Sequence, residues 1–346
     1  MIYIVSFNKL VTGGTESLHQ LAFELQKRGC QVSMYYLDAP GADTPQKFQK
    51  YKIKSVNAIE DLDNNWVVVP ESRAEFLKQF YTIKKCIWWL SLDNYLNRYP
   101  IHMTLDMCKR KGISCICFPI IWLLLLIKGY LNFNQLKIKE IEKDILHFYN
   151  CEYVHEYLIN HHINKENILY LCGPLSDEYL QNGIELSEKE DIILYNPQKG
   201  YPYTKKVIKM LEKEREDIKI YPIKNMTSKE IIDLMKKSKV YIDFGNFPGP
   251  ERIPREAVMM GCNIITSMNG SAANEEDVLI NKKYKFKTIN KNIQDIVNTI
   301  NELLEHFGEH YPDYDAYREK IVEQKKRFGK DIDLILSKMD EIQTVK

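Results

Sequence analysis

The stretch VYIDFGNFPGPERIPREAVMMGCNIITSMNGSA, residues Val240 to Ala272, decides how this chain reads. An apolar run, Val240–Phe244, predicts a buried strand. A loop rich in glycine and proline follows, with Gly245, Pro248, Gly249 and Pro250. A helix with a charged first turn comes next, then a second apolar strand. Strand, loop, helix and strand in that order form a ligand corner at the carboxyl end of a parallel sheet. The glycines let the backbone turn sharply and come close to a ligand. Glu251, Arg252, Arg255 and Glu256 follow at once. Two guanidinium forks beside a positive helix terminus suit a diphosphate. Carboxylates suit sugar or ribose hydroxyls, which donate hydrogen bonds. The combination predicts a nucleotide-sugar site; the alternative is an ordinary βαβ corner with a salt-bridged loop.

The rest of the chain fits an α/β protein with two doubly wound parallel sheets. At 346 residues it is long for one domain and suited to two. In the first half, strands are predicted at Met1–Phe7, Gln31–Leu37, Trp66–Val69, Cys86–Leu92 and Ile168–Leu171. Helical faces are predicted at Ser17–Arg28 and Cys151–Asn160. Gly173, Pro174, Gly183 and an acidic run mark a boundary between Gly173 and Asp191. A second alternation then begins: strand Ile192–Tyr195, helix Thr204–Glu214, strand Ile218–Pro222, helix Ser228–Ser238 and strand Val240–Phe244. The domains expected are 1–175, with a hydrophobic insertion near 109–131, then 185–310, then a helical region over 311–346.

Composition narrows the function classes. A net charge of +1 gives no electrostatic case for nucleic acid. The eight cysteines lack metal-like pairing, and several sit in apolar runs. Free thiols in this number predict a reducing, cytoplasmic compartment. Met1–Phe7 reads as a strand rather than a secretory leader. No His, Cys or carboxylate spacing suggests a dedicated metal, and there is no Asp-x-Asp motif. ISCICFPIIWLLLLI, Ile113 to Ile127, stands apart. As a helix it would be about 22 Å long, short of the roughly 30 Å hydrocarbon core. It is flanked by Lys109-Arg110-Lys111 and Lys128. A buried core helix and a helix dipping into a bilayer surface are both open, and they differ in the exposure of Trp122 and Leu124.

Further candidates lie where strands end. Gly13 and Gly14, in GGTE, open the first helix with free N–H groups; a tight turn capped by Thr15 is the plainer reading. Lys199, in YNPQKG, follows the first strand of the second unit. Asp93, in WWLSLDNY, is placed to orient an acceptor hydroxyl or take its proton, or else to cap the next helix. Trp88 and Trp89 read as core residues before sugar platforms. Gly270 and Ser271, in NGSA, offer a turn that could touch phosphate or sugar, or a plain turn.

These segments resemble the GT-B glycosyltransferases. The run FGNFPGPERIPREA…GC.IIT…GSA…EDV is similar to a bacterial group found near surface-polysaccharide genes. Glu256, followed by Ala257, Gly261 and Ile264-Ile265, matches the second glutamate of the donor block in retaining, two-glutamate transferases. Pro248 stands eight residues earlier, where that block has its first glutamate, and Glu251 is the nearby carboxylate. The resemblance implies two Rossmann-like domains facing a cleft and a C-terminal helix crossing back to the first. It implies transfer of a hexosyl group from a nucleotide sugar, a UDP-sugar foremost, to a glycan or polyprenyl-linked acceptor. The outcome implied is retaining and metal-independent, in capsule or lipopolysaccharide synthesis at the inner face of the cytoplasmic membrane. Lys199, Arg252 and Arg255 would stabilise the leaving diphosphate. Glu256 would bind ribose, Glu251 the donor sugar, and Gly13 and Gly14 would face the acceptor or donor phosphate. No cofactor beyond the donor is implied. A nucleotide-sugar 2-epimerase of the same fold, and a non-catalytic sugar-nucleotide or glycan-binding partner subunit, are the alternatives.

Overall fold

The computed structural model describes residues 1–111, 113–180, 183–287 and 289–344, the side chains of 109–111 and 115 apart. The chain divides into two compact units: Met1–Gly173 with Lys326–Lys346, and Pro174–Lys325.

The first unit contains, in chain order, β1 (Ile2–Ser6), α1 (Gly13–Lys27), β2 (Val32–Tyr36), β3 (Ser55–Val56), β4 (Trp66–Pro70), β5 (Lys84–Trp89), α2 (Leu92–Leu96), α3 (Pro100–Lys111), α4 (Phe118–Ile127), β6 (Leu146–Tyr149), α5 (Glu152–Asn160) and β7 (Ile168–Tyr170). Its seven strands run in parallel in the order β3-β2-β1-β4-β5-β6-β7. Both faces of the sheet are covered, which is why its strands are apolar without alternation. Ile2, Ile4, Trp66, Val68 and Trp88 pack in one core layer. Tyr3, Val5, Val67, Val69 and Trp89 pack in the other. The indole N–H groups of both tryptophans are satisfied inside: Trp88 donates to the Leu171 carbonyl at 2.9 Å, and Trp89 to His147 Nδ1 at 3.0 Å. They are core residues rather than surface platforms. The His147 ring is held neutral, its pKa pushed down to about 4 by burial.

The second unit contains β8 (Glu190–Tyr195), α6 (Tyr201–Glu214), β9 (Lys219–Pro222), α7 (Ser228–Lys237), β10 (Ser238–Asp243), α8 (Arg252–Met259), β11 (Asn263–Ser267), β12 (Lys285–Phe286), α9 (Ile293–Glu305), α10 (Phe307–His310) and the start of α11 (Asp315–Thr344). Its five parallel strands are ordered β12-β11-β10-β8-β9. The two parallel sheets expected from the sequence are both present. The predicted strand Cys86–Leu92 begins at Lys84 and ends at Trp89, because Ser91 caps α2 and Leu92 opens it. Along α11, Tyr317 and Ile321 join the second unit's core. Phe328, Ile332, Ile335 and Met339 join the first unit's core.

Helix α4 departs from ordinary helix packing. Its ten residues, FPIIWLLLLI, are all apolar, yet Leu125 alone is buried. Leu123 and Leu124 are about half exposed, and Ile127 is 73% exposed. The exposure excludes the buried-helix reading of this segment. Lys109, Arg110 and Lys111 have side chains outside the described set. Among the described residues no helix is long and apolar enough to cross a membrane.

Candidate functional site

In the second sheet the strand order reverses between β8 and β10, so the loops after these strands flank a topological switch point, where open α/β sheets bind ligands. The loop after β8 carries Lys199 and ends at Gly200, the left-handed residue before α6 (φ 63°). A Cβ on Gly200 would fall 2.4 Å from the Phe244 carbonyl carbon, so only glycine lets the two loops lie this close. Gly245 closes the contact from the other side. A Cβ there would fall 2.5 Å from Lys199 Cβ and 2.9 Å from Asp243 Oδ1.

This packing gathers charge at the start of α8. Lys199 Nζ lies 2.6 Å from Glu251 Oε2. Glu251 is the N-cap residue of α8, but its side chain makes no cap hydrogen bond. One turn on, Arg252 Nε lies 3.5 Å from Glu256 Oε1, and its Nη2 donates to Ser176 Oγ at 3.2 Å. All four charged side chains are partly open to solvent, from 12% for Glu256 to 34% for Lys199. The result is two adjacent cation–carboxylate pairs on a helix N-terminus: donors for phosphate oxygens beside acceptors for hydroxyls.

Asp243 lies at the end of β10 and was not singled out from the sequence. Its Oδ2 accepts from Tyr241 Oη at 3.0 Å and its Oδ1 from the Gly245 N–H at 2.9 Å. Burial raises its pKa to about 6; the neighbouring Glu251 adds to the rise, while the Gly245 N–H and Lys199 oppose it. The signal available was a carboxylate closing an apolar strand just before a glycine.

Arg255, Gly270 and Ser271 shape the loop. Arg255 is 4% exposed. It donates to the carbonyls of Pro250 (3.0 Å) and Glu251 (3.3 Å) and to Gln324 Oε1 (3.1 Å). It therefore clamps the loop that presents Glu251. The Ser271 backbone N–H donates to the Phe247 carbonyl at 2.8 Å and its hydroxyl to the Gly249 carbonyl at 2.7 Å. Gly270 has φ 62°, and a Cβ there would fall 2.1 Å from the Phe247 oxygen. These residues zip the loop after β10 to the loop after β11.

The remaining candidates belong to the first unit, whose sheet has its own switch point between β1 and β4. Gly13 and Gly14 open α1, but Thr12 rather than Thr15 is its N-cap. Thr12 Oγ1 accepts from the Thr15 N–H, and Thr15 Oγ1 accepts from the Thr12 N–H. The Cα of Gly14 faces Leu90, which follows β5. Asp93 lies in the first turn of α2 and is half-buried. The capping role falls to Ser91, whose Oγ accepts from the Asn94 N–H. Glu71, just past β4, was also missed. It is 2% exposed and accepts the Leu90 N–H at 2.8 Å. Burial raises its pKa to about 8, against the pull of surrounding backbone N–H groups. Among the described residues no His, Cys, Asp and Glu group could hold a metal ion.

The chain matches no family model and no curated sequence. Among solved structures it is similar to sucrose-phosphate synthase from Thermosynechococcus elongatus, with TM-score 0.62 and 11% identity over 99% of each chain. It is similar to a glycosyltransferase from Rickettsia africae, with TM-score 0.59 and 14% identity over 99% of this chain and 98% of that one. A third is Anabaena HepE in complex with UDP and glucose, with TM-score 0.59 and 11% identity over 97% and 99%. These structures are glycosyltransferases of the GT-B class, and the chain has the GT-B fold. At such identities the likeness shows the fold alone.

Proposed function

We propose that this chain is a glycosyltransferase that moves a hexosyl group from a nucleotide sugar to a glycan or polyprenyl-linked acceptor in the synthesis of bacterial surface polysaccharide. The observation that carries this reading is the Lys199–Glu251 pair at the N-terminus of α8, beside Arg252 and Glu256, on the switch point of the second sheet. Lys199 and Arg252 supply positive charge where the nucleoside diphosphate departs. Glu256 accepts from ribose hydroxyls and Glu251 from the donor sugar. Arg255, Gly270 and Ser271 hold the loop in shape. The breaking bond joins the anomeric carbon to the diphosphate oxygen, which keeps the electron pair. The acceptor oxygen forms the new bond and gives its proton to the departing diphosphate. The acceptor is assigned to the first unit, at the loops carrying Gly13, Gly14 and Asp93, with Asp93 orienting its hydroxyl.

UDP is the first nucleotide to test, since HepE was solved with UDP-glucose. Retention of configuration is proposed from the Glu256 block. Independence of metal is proposed because Lys199 and Arg252 already bring cationic charge to the diphosphate. The setting proposed is the cytoplasm, in keeping with the free cysteines. Pro248 favours a second reading, a non-catalytic sugar-nucleotide-binding subunit, because it replaces the first carboxylate of the two-glutamate block.

A thermal-shift screen with UDP, GDP, ADP and CMP nucleotides, followed by transfer assays with labelled sugars, tests this. A ligand at 100 times its dissociation constant should stabilise the fold by roughly 2.7 kcal/mol. Binding without transfer or hydrolysis would favour the subunit reading. No shift with any nucleotide would overturn both.

A further inference from the structure

The segment around α4 is the largest feature that nucleotide chemistry leaves unexplained. A helix apolar on every side belongs in a protein core or in lipid. This one is covered by neither: Ile116 is 89% exposed, Ile127 73% and Phe133 64%, with Ile120, Leu123 and Tyr130 also exposed. Single exposed apolar side chains are ordinary, whereas a contiguous group of this kind marks an interaction surface.

Charge identifies what covers it. Between residues 107 and 136 the chain carries four cations, Lys109, Arg110, Lys111 and Lys128, and no Asp or Glu; Lys137, next along, pairs with Glu140 at 3.5 Å. The whole chain has a net charge of only +1, so this excess is local. A second copy of the chain is a poor occupant. In a two-fold interface the same patch meets itself, bringing like-charged flanks together. An anionic bilayer surface suits both properties, offering acyl chains to α4 and phosphates to the lysines and Arg110. At ten residues α4 is about 15 Å long, half the hydrocarbon thickness, so it fits a shallow insertion and not a span.

We propose that residues 116–133 dock the first unit onto anionic lipid, with α4 seated at the boundary between headgroups and acyl chains. This rests on exposure and charge alone and holds whether or not the chain transfers a sugar.

The test is flotation of the full chain with vesicles of phosphatidylcholine, with and without phosphatidylglycerol, at low and high salt. Wild type should float with the anionic vesicles about tenfold more than with the neutral ones, and salt should reduce the difference. Leu123→Glu/Ile127→Glu should abolish flotation and leave the melting temperature unchanged, since both side chains are exposed. A second readout needs no variant. Trp66, Trp88 and Trp89 are buried, whereas Trp122 is part-exposed, so quenching by brominated lipid reports on Trp122. Quenching that disappears in Trp122→Phe supports the proposal. Wild type that stays unbound to every vesicle overturns it. So does flotation that survives the double substitution without Trp122 quenching. A dimer in solution that the double substitution dissolves, with no flotation, would instead make this face a self-interface and overturn the lipid assignment.

Discussion

Lys199 Nζ and Glu251 Oε2 stand 2.6 Å apart, joining the loop after β8 to the N-cap of α8 across the point where the second sheet reverses its strand order. The pair fixes the direction of the lysine before any ligand arrives, and it balances a cation that a diphosphate would otherwise have to itself. In the proposed site a diphosphate would therefore compete with Glu251 for Lys199.

Lys199→Ala should weaken UDP binding by about 1.5–3 kcal/mol, the range for a lost charge-assisted contact. Glu251→Gln should act oppositely on free UDP, tightening it by releasing the lysine, while slowing turnover of a UDP-sugar. Isothermal titration on both variants decides the matter. Wild-type affinity in Lys199→Ala would remove the lysine from the site.

Arg255→Ala should lower the melting temperature as well as nucleotide affinity, a combination not expected of Lys199→Ala. The arginine is buried and bridges two loop carbonyls and Gln324. Leaving those acceptors without a donor should cost about 2–4 kcal/mol. Arg255→Lys should recover little, because an ammonium cannot copy the planar fork. A calorimetric scan showing an unchanged melt in Arg255→Ala would sink the clamp role.

Glu256→Gln should reduce donor affinity about tenfold and leave the fold intact. A carboxylate accepts through two oxygens and an amide through one. The side chain is mostly buried, and Gln keeps its shape and an oxygen to accept from Arg252. Equal donor affinity in a folded variant would make Glu256 a partner of Arg252 only.

Asp243 should give stability a pH dependence of definite sign. Its carboxyl titrates near 6 in the folded chain and near 3.8 when unfolded. Between these values the folded state holds a proton that the unfolded state has released. The contribution is complete below about 3.8, falls as pH rises through about 6, and then levels off. Its size is at most about 3 kcal/mol. Asp243→Asn should flatten this part of a pH series of urea melts. Nucleotide affinity should also rise in wild type as pH drops through 6, more steeply than in Asp243→Asn, because protonation removes a negative charge beside the proposed diphosphate site. Parallel curves for the two proteins would count against it.

Glu71 follows the same rule in the first unit, with a window from about 4.5 to about 8. Glu71→Gln keeps an acceptor for the Leu90 N–H and has no proton to take up on folding, so it should be nearly neutral near pH 4 and stabilising at pH 7. Glu71→Leu removes that acceptor and should destabilise by about 1–3 kcal/mol. Equal loss in both variants would mean that the ionised carboxylate, not the hydrogen bond, is what the fold uses.

The parallel sheets were legible because buried strands write themselves as apolar runs punctuated by glycine and proline. The corner at Val240–Ala272 was legible for the same reason. What could not be read was where each charge spends its hydrogen bonds. Arg252 and Arg255 look equivalent in sequence; only one helical turn of geometry gives the first a carboxylate and the second the loop's own carbonyls. Asp243 and Glu71 escaped notice because burial, not residue type, makes them unusual. Gly245 and Gly270 read as turn residues that could approach a ligand, whereas each, like Gly200, is a point of contact that a single methyl would block. The apolar run before Ile127 carries no periodicity, so sequence alone could not separate a core helix from an exposed one.

Helix α11 has a consequence for synthesis on the ribosome. The first unit is translated before the second, yet Phe328, Ile332, Ile335 and Met339 of its core are made only after the whole second unit. Its sheet can assemble early, but one wall of its core is absent until residues 328–339 have been made. The second unit, ending at Lys325, has all its residues before that wall exists. The amino-terminal unit should thus be the last to become protease-resistant, and nascent chains arrested before residue 328 should hold it in a state open to proteases and chaperones.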